Sequence, residues 1–430
     1  MKIEKMKQIL EGTAARGVMA KLYGESRTEW GIRRYQDLAD KFSTNFDAEE
    51  IVMFSSPGRT EISGNHTDHN HGKVLAGSID LDCICAAAKN HSAKVHIISE
   101  TFNQDFIIDL NDLEPSPQKS GTIDLVKGLL RGFKESGYEN GGFDAYVSSN
   151  VIAAAGVSSS ASFEMLICSI LNHFFNEGRM DTVAYAHIGK YAENIYWNKA
   201  SGLLDQMACA VGGLITIDFV EPAAPDVQKI DFDFASYGHS LIIVQTGKGH
   251  ADLSEDYSSV PREMEQVAEF FGESVCAAIT EQQVIDHLGE IRAITGDRAV
   301  LRALHFFEEN KRVEAQVKAL KEGRFEDFLA GITASGNSSW KWLQNCYTNH
   351  DYREQGISIA LALTELFINE KHRGACRIHG GGFAGVIMAM LPNEITDEYI
   401  TYIEKAMGPG SAYRMTIRPY GAVCINELIK

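Results

Sequence analysis

Between Pro57 and Gly72 the chain gathers Arg59, Glu61, His66, Asp68, His69 and His71 into sixteen residues bounded by turn-formers. A guanidinium, two carboxylates and three imidazoles this close together can bind hydroxyls, balance developing charge and move protons, provided something rigid holds them. The flanks offer that rigidity: Ile51–Phe54 reads as a buried strand and Val74–Ile79 as another. Polar groups clustered on a glycine-containing loop beside strands are one way a site is built; a polar surface loop with incidental histidines is the ordinary alternative. The segment alone does not choose between them.

Three further constellations could do chemistry. The loop Gly156-Val-Ser-Ser-Ser-Ala-Ser162 precedes an apolar helix. Its small residues let backbone N–H groups turn inward, and the helix N-terminus adds partial positive charge, so phosphate can be bound without a cationic side chain. Serine hydroxyls there can also ligate Mg²⁺, although a serine-capped helix after a flexible loop is the commoner meaning. The turn His379-Gly-Gly-Gly-Phe-Ala-Gly385 lies between apolar strands and allows close backbone approach to a ligand or simply a tight connection. Asp205, at the start of a helix among apolar neighbours, could orient or accept a proton, and Glu193 on the preceding helix could hold a metal; a helix-start acid and an exposed helix glutamate are the bland readings. The P-loop pattern and the protein-kinase His-Arg-Asp and Asp-Phe-Gly elements are missing from the sequence.

The elements that must position these groups alternate between strand and helix patterns. Residues 1–45 read as helical, with Trp30, Tyr35, Leu38 and Phe42 on one stripe. Strands are expected at Ile51–Phe54, Val74–Ile79, Cys83–Ala88, Val95–Ser99, Phe106–Asp109, Asp144–Ser149, Gly212–Phe219, Ser240–Gln245, Tyr413–Ile417 and Ala422–Leu428, and on both sides of the 379–385 turn. Helices are expected at Leu125–Glu135, Phe163–Phe175, Asp181–Tyr196, Arg262–Phe271, Gln282–Ile291, Ala299–Glu322, Glu326–Ala334 and Ile357–Glu370. With 430 residues, 44% of them hydrophobic, two α+β domains are the first expectation. A net charge of −18 disfavours nucleic acid as partner. Eight scattered cysteines fit a reducing compartment, and neither a signal-peptide h-region nor a bilayer-length apolar run is present, so a soluble cytoplasmic protein with no membrane contact is expected.

In chain order, the segments Pro57–Gly72, Gly156–Ser162 and Arg377–Gly385 resemble the three motifs of the GHMP small-molecule kinases, and within them the galactokinases. The galactokinase signature Gly-Arg-x-Asn-Leu-Ile-Gly-Glu-His-Thr-Asp-Tyr-Asn is matched at Gly58, Arg59, Gly64, His66, Thr67, Asp68 and Asn70. Gly156-Val-Ser-Ser-Ser-Ala161, Gly202-Leu-Leu-Asp-Gln206 and His305-Phe-Phe-Glu-Glu-Asn-Lys-Arg-Val313 carry the later motifs, so the similarity runs from about Tyr35 to the C-terminus.

The resemblance implies a two-domain GHMP-kinase fold with its active site in the cleft between the domains: an N-terminal domain over 1–208, with 1–34 as an extra helical segment, and a C-terminal domain over 209–410, strands at about 411–430 returning to the first. It implies MgATP phosphates on Gly156, Val157, Ser158, Ser159, Ser160 and Ala161, supported by Gly380, Gly381 and Gly382, with Mg²⁺ on Ser160 and Glu193. Asp205 corresponds to the catalytic carboxylate facing the anomeric hydroxyl and Arg59 to the guanidinium beside it. Asn65, His66, Asp68 and Tyr257, the last placed by its spacing from His250, correspond to sugar contacts. The implied reaction is phosphorylation of a hexose at C1 by a monomer or weak homodimer. The chain departs from the family at Asn65, where the family has Glu; at His69, where it has Tyr; in Cys346–Arg353; and in the spacing from Glu193 to Asp205. Asn65 removes a negative charge and adds an NH₂ donor, which makes galacturonate the rival to galactose as substrate. A sensor that binds galactose and ATP without phosphorylating is the alternative of another class; the intact Gly156–Ala161 loop favours the enzyme.

Overall fold

The strand expected at Ile51–Phe54 is the beginning of a longer one. In the computed structural model, which describes residues 1–119, 121–152, 156–198, 201–247 and 253–430, β1 runs Val52–Ser63 and is buried along almost its whole length. Residues 57–63, expected as loop, therefore belong to a strand, and the loop proper is 64–72. Their polar side chains serve a cleft and an internal ion cluster rather than solvent. Register shifts lie between Pro57 and Arg59 and between Glu61 and Ser63, and such bulges re-aim side chains beside sites.

The remaining strands are β2 (Lys73–Lys89), β3 (Lys94–Ser99), β4 (Gln104–Asp109), β5 (Phe143–Ser149), β6 (Leu214–Asp218), β7 (Asp226–Ile230), β8 (His239–Gln245), β9 (Ala375–His379), β10 (Val386–Pro392), β11 (Ala412–Met415) and β12 (Val423–Cys424). They form two sheets. The larger has the order β12-β1-β2-β5-β3-β4, with β6 on β2 and β7 on β6; the smaller has the order β11-β8-β10-β9. The division expected at 208/209 falls within the helix Leu204–Val211, and β6 and β7 beyond it extend the larger sheet. The Lys73–Gly77 half of β2 takes β1 on one side and β6 on the other. We propose the domain boundary in the connection 231–238. At the C-terminus β11 stays in the smaller sheet, whereas Thr416 N donates to Asp80 Oδ1 at 2.9 Å and β12 pairs with β1. The last expected strand is cut short, because Ile425–Leu428 form a helical turn.

β2 merges two expected strands. The interruption read at Asp80 and Asp82 is a buried ion cluster: Asp82 Oδ2 accepts from Ser55 Oγ at 2.6 Å, Tyr23 Oη at 2.7 Å and Arg418 Nη1 at 3.0 Å, while Arg34 pairs with Oδ1. Burial alone would raise the Asp82 carboxyl, but Arg34, Arg418 and Ser55 outweigh it and hold it below its ordinary value. Arg27 binds Asp80 at 2.7 Å. The helices Thr13–Tyr23 and Thr28–Asn45 thus lie against the larger sheet, packing Leu22, Tyr35, Leu38 and Phe42 on Met53, Ile84 and Ala86. Trp30 leaves the expected stripe; it is 39% exposed and carries Arg27 over its ring at 4.4 Å.

Of the expected helices, Gln282–Ile291 divides into Glu281–Asp286 and Leu288–Thr295, Ala299–Glu322 becomes Asp297–Lys321, and Asn393–Met407 is a helix the periodicity did not disclose. No described helix is long and apolar enough to cross a membrane.

Candidate active site

The phosphate-loop candidate is more helical than its composition suggests. The helix begins at Ser159 and runs to Phe175, so Ser159–Ser162 are its first turn and only Gly156–Ser158 stay outside. Gly156 and Ser158 have φ of 63° and 58°, which turns the chain sharply into the helix. The loop docks on β1: Arg59 N donates to Val157 O at 3.0 Å. A Cβ at Gly58 would stand 2.6 Å from that same carbonyl, so the contact needs glycine there.

Arg59 joins this loop to the helix Leu204–Val211. Its Nε donates to Asp205 Oδ1 at 2.7 Å, its Nη2 lies 2.6 Å from the same oxygen, and its Nη1 donates to Gly156 O. Ser158 Oγ donates to the other carboxylate oxygen, Oδ2. Burial would lower the Arg59 guanidinium, but Asp205 and Glu61 outweigh it and raise it, so Arg59 stays cationic. Behind them Ser160 Oγ lies 3.1 Å from Glu193 Oε1, and Gln206 Nε2 reaches both Glu193 and the buried Glu164 at 3.1 Å. Glu193 is buried, not exposed as a helix glutamate usually is. Oxygens at adjacent corners of an Mg²⁺ octahedron are about 3 Å apart, given Mg–O distances near 2.1 Å. The Ser160–Glu193 pair fits that edge.

Beside Asp205 opens a cavity of about 220 Å³ between the two halves of the chain, lined among others by Arg59, Glu61, Asn65, His66, Asp68 and Tyr257. His66, at φ 61°, donates from Nε2 to Gly381 O at 2.8 Å, which leaves Nδ1 as an acceptor. Burial holds His66 down to about 3, so it is neutral at physiological pH. Asp68 presses so closely on Gly202 that a side chain there would collide with it. Tyr257 donates to Gly382 O at 2.8 Å and packs on Gly381, while His250 lies outside the described residues. Asn65 has nothing left to offer: Nδ2 donates to Glu61 Oε1 and Gly380 O, both at 2.8 Å, and Oδ1 accepts from Asn345 at 2.7 Å and Ser339 at 3.3 Å. The Gly380–Gly382 turn gives its carbonyls to this cluster and backs on Gly156 on its other side. His69 lines the cavity, and His71 does not.

The loop is held from behind by the helix Asp297–Lys321. Glu309 Oε1 accepts from Ser63 Oγ at 3.0 Å and Gly64 N at 2.9 Å, Asn310 Oδ1 accepts from Lys73 N at 2.6 Å, and His305 Nε2 meets Asn65 O at 3.0 Å. Burial opposes ionisation of Glu309, yet His305, Arg377, Arg312 and Ser335 bring it down to about 2. Sequence reasoning gave no role to Glu61, Gln206, Asn345 or His379. Glu61 was visible as part of the cluster, but nothing local marks the others. A larger cavity of 420 Å³, lined by Phe232, Phe234, Leu241 and Met390 among others, takes only the apolar Ile62 from the motif segments and none of their polar residues.

The fold is that of the GHMP small-molecule kinases, and comparison with known proteins agrees. The GHMP kinases N terminal domain matches residues 124–213, and the galactokinase galactose-binding signature matches residues 40–89. Galactokinase of Exiguobacterium sibiricum is 27% identical over 89% of this chain and 96% of its own; that of Ligilactobacillus salivarius is 29% identical over 84% and 90%. The structure of Lactococcus lactis galactokinase complexed with galactose superposes with a TM-score of 0.78 at 24% identity, covering 91% of this chain and 99% of that one. Methanococcus jannaschii mevalonate kinase superposes at 0.59 with 16% identity, covering 86% and 99%. The chain is thus similar to galactokinases over most of its length and carries their galactose-binding signature.

Proposed function

We propose that the chain transfers the γ-phosphoryl group of ATP to the C1 hydroxyl of galactose. The observation that carries this reading is the position of Asp205, bonded to Arg59 and Ser158 where the phosphate loop meets the sugar-sized cavity. Backbone N–H groups at the start of the Ser159–Phe175 helix receive the ATP phosphates. Ser160 and Glu193 would hold Mg²⁺, whose charge would offset that of the phosphates. Asp205 orients the C1 hydroxyl and takes its proton as the phosphoryl group arrives, a modest demand because phosphoryl transfer passes through a loose transition state. Arg59 stabilises charge on the transferring oxygens and fixes the carboxylate. His66 Nδ1 accepts a sugar hydroxyl, Asp68 another, and the Gly380–Gly382 turn with Tyr257 closes the far wall.

In this reading the protein works in the cytoplasm, where ATP is supplied, as a monomer or weak homodimer. ADP release with galactose, galacturonate, N-acetylgalactosamine, arabinose and glucose tests it. Turnover is expected to be fastest with galactose. Tight binding of galactose and ATP without ADP release would favour the sensor reading, and no binding or turnover with any sugar would remove both.

A further inference from the structure

Laid over Gly58–His66, the pattern Gly-Arg-x-Asn-Leu-Ile-Gly-Glu-His shows two residues exchanged: Glu61 stands at its Asn and Asn65 at its Glu. The two are bonded to each other, Asn65 Nδ2 to Glu61 Oε1 at 2.8 Å. Arg377 Nη2 reaches the same Oε1 at 3.1 Å from the other half of the chain. Oε2 of Glu61 has no hydrogen-bond partner among the described residues, and it is not among the polar atoms sealed from solvent without one. Glu61 lies two residues after Arg59 on β1, hence on the same strand face, and lines the same cavity.

The charge count follows from that lining. Glu61, Asp68 and Asp205 bring three carboxylates to the cavity, against the Arg59 guanidinium, which Asp205 already engages, and that of Arg377, which reaches Glu61 without lining the cavity. His66 adds no charge. The negative charge that Asn65 removes from position 65 has therefore been returned to the cavity at position 61.

We propose that Glu61, through Oε2, is the sugar-hydroxyl acceptor that sets specificity in this chain, that Asn65 positions it, and that the occupant is a neutral hexose and not a uronate. This rests on the sugar 1-kinase reading. A uronate would bring a fourth carboxylate to a site whose two cations, Arg59 and Arg377, are already engaged by Asp205 and Glu61, whereas a hydroxyl supplies the donor that Oε2 lacks.

The test is steady-state kinetics of the full chain with MgATP, using galactose and galacturonate, for wild type, Glu61→Gln and the double exchange Glu61→Asn with Asn65→Glu. Wild type is expected to favour galactose by about 100-fold or more in kcat/KM, as a site built to bond a hydroxyl should. In Glu61→Gln, Oε1 can still accept from Asn65 and Arg377, so a purely structural role would leave the preference unmoved. Instead the galactose KM is expected to rise about tenfold with kcat within about threefold, and the preference to narrow about tenfold. The double exchange, which returns a carboxylate from position 65, is expected to recover most of the galactose KM. A Glu61→Gln preference within about twofold of wild type, alongside ordinary galactose turnover, would overturn the Glu61 assignment alone. If Glu61→Gln does not fold, wild type decides: preference for galactose supports the proposal and preference for galacturonate overturns it. No turnover of either sugar by wild type would overturn the kinase reading, and the proposal with it.

Discussion

Asp205 has one oxygen on Arg59 and the other on Ser158, so a single carboxylate ties β1, the loop 156–158 and its own helix together. Asp205→Asn keeps the size and an acceptor oxygen but removes the charge. Its kcat is expected to fall by about 10²–10⁴ while ATP affinity changes less than threefold, read by steady-state kinetics and calorimetry; a near-wild-type rate would show that Asp205 neither takes nor orients the proton. At this scale the sequence was informative for Arg59, Asp205 and the serines, because their types and order are unusual together. It was mute on Glu61, whose role depends on which of its oxygens Arg377, 316 residues away, leaves free. It was also misleading on Asn65, since nothing local reveals that Asn345 and Ser339 occupy its carbonyl oxygen.

The strand β1 and the phosphate loop form one working part because Gly58 lets Val157 O come within bonding distance of Arg59 N. Gly58→Ala is expected to push them apart, raising the KM for ATP about tenfold and lowering stability by about 1–3 kcal/mol, the usual range for overpacking. Kinetics and urea denaturation check both; an unchanged KM would mean that the loop does not depend on this contact. Hydrophobic periodicity found most elements, including the strands of the smaller sheet and the long helix behind the loop. It failed where polar residues are buried. Ser55, Ser56, Arg59, Thr60, Glu61 and Ser63 gave β1 the composition of a loop, and Asp80 and Asp82 split β2 in two, because composition cannot show that partners from distant helices, strands and connections satisfy most of these groups.

Across the whole molecule, the N-terminal helices and the C-terminal return meet on Asp82, which pairs with Arg34 from one and Arg418 from the other. Asp82→Ala leaves both cations without their carboxylate and is expected to cost about 3–5 kcal/mol in chemical denaturation. A loss below about 1 kcal/mol would show that the cluster does not hold the N-terminal segment to the sheet. Buried histidines add a pH dependence. His66, His305 and His379 are all held below the ordinary value, first by burial. Once unfolded they take up protons below about pH 6.5, whereas in the fold they do not, so stability is intact above that pH and falls as the pH drops towards their folded values. The slope approaches about 1.4 kcal/mol per pH unit for each histidine. Urea midpoints at pH 7.5 and 5.5 should differ in that sense; equal midpoints would contradict it.

The transfer itself is most directly tested by phosphorus NMR of the products formed from galactose and MgATP. One ADP per galactose consumed, with the new phosphate coupled to the anomeric C1 proton, is the expected result. Phosphate attached at another carbon, or ATP left intact with galactose bound, would contradict the assignment of Asp205 as the group that faces the C1 hydroxyl.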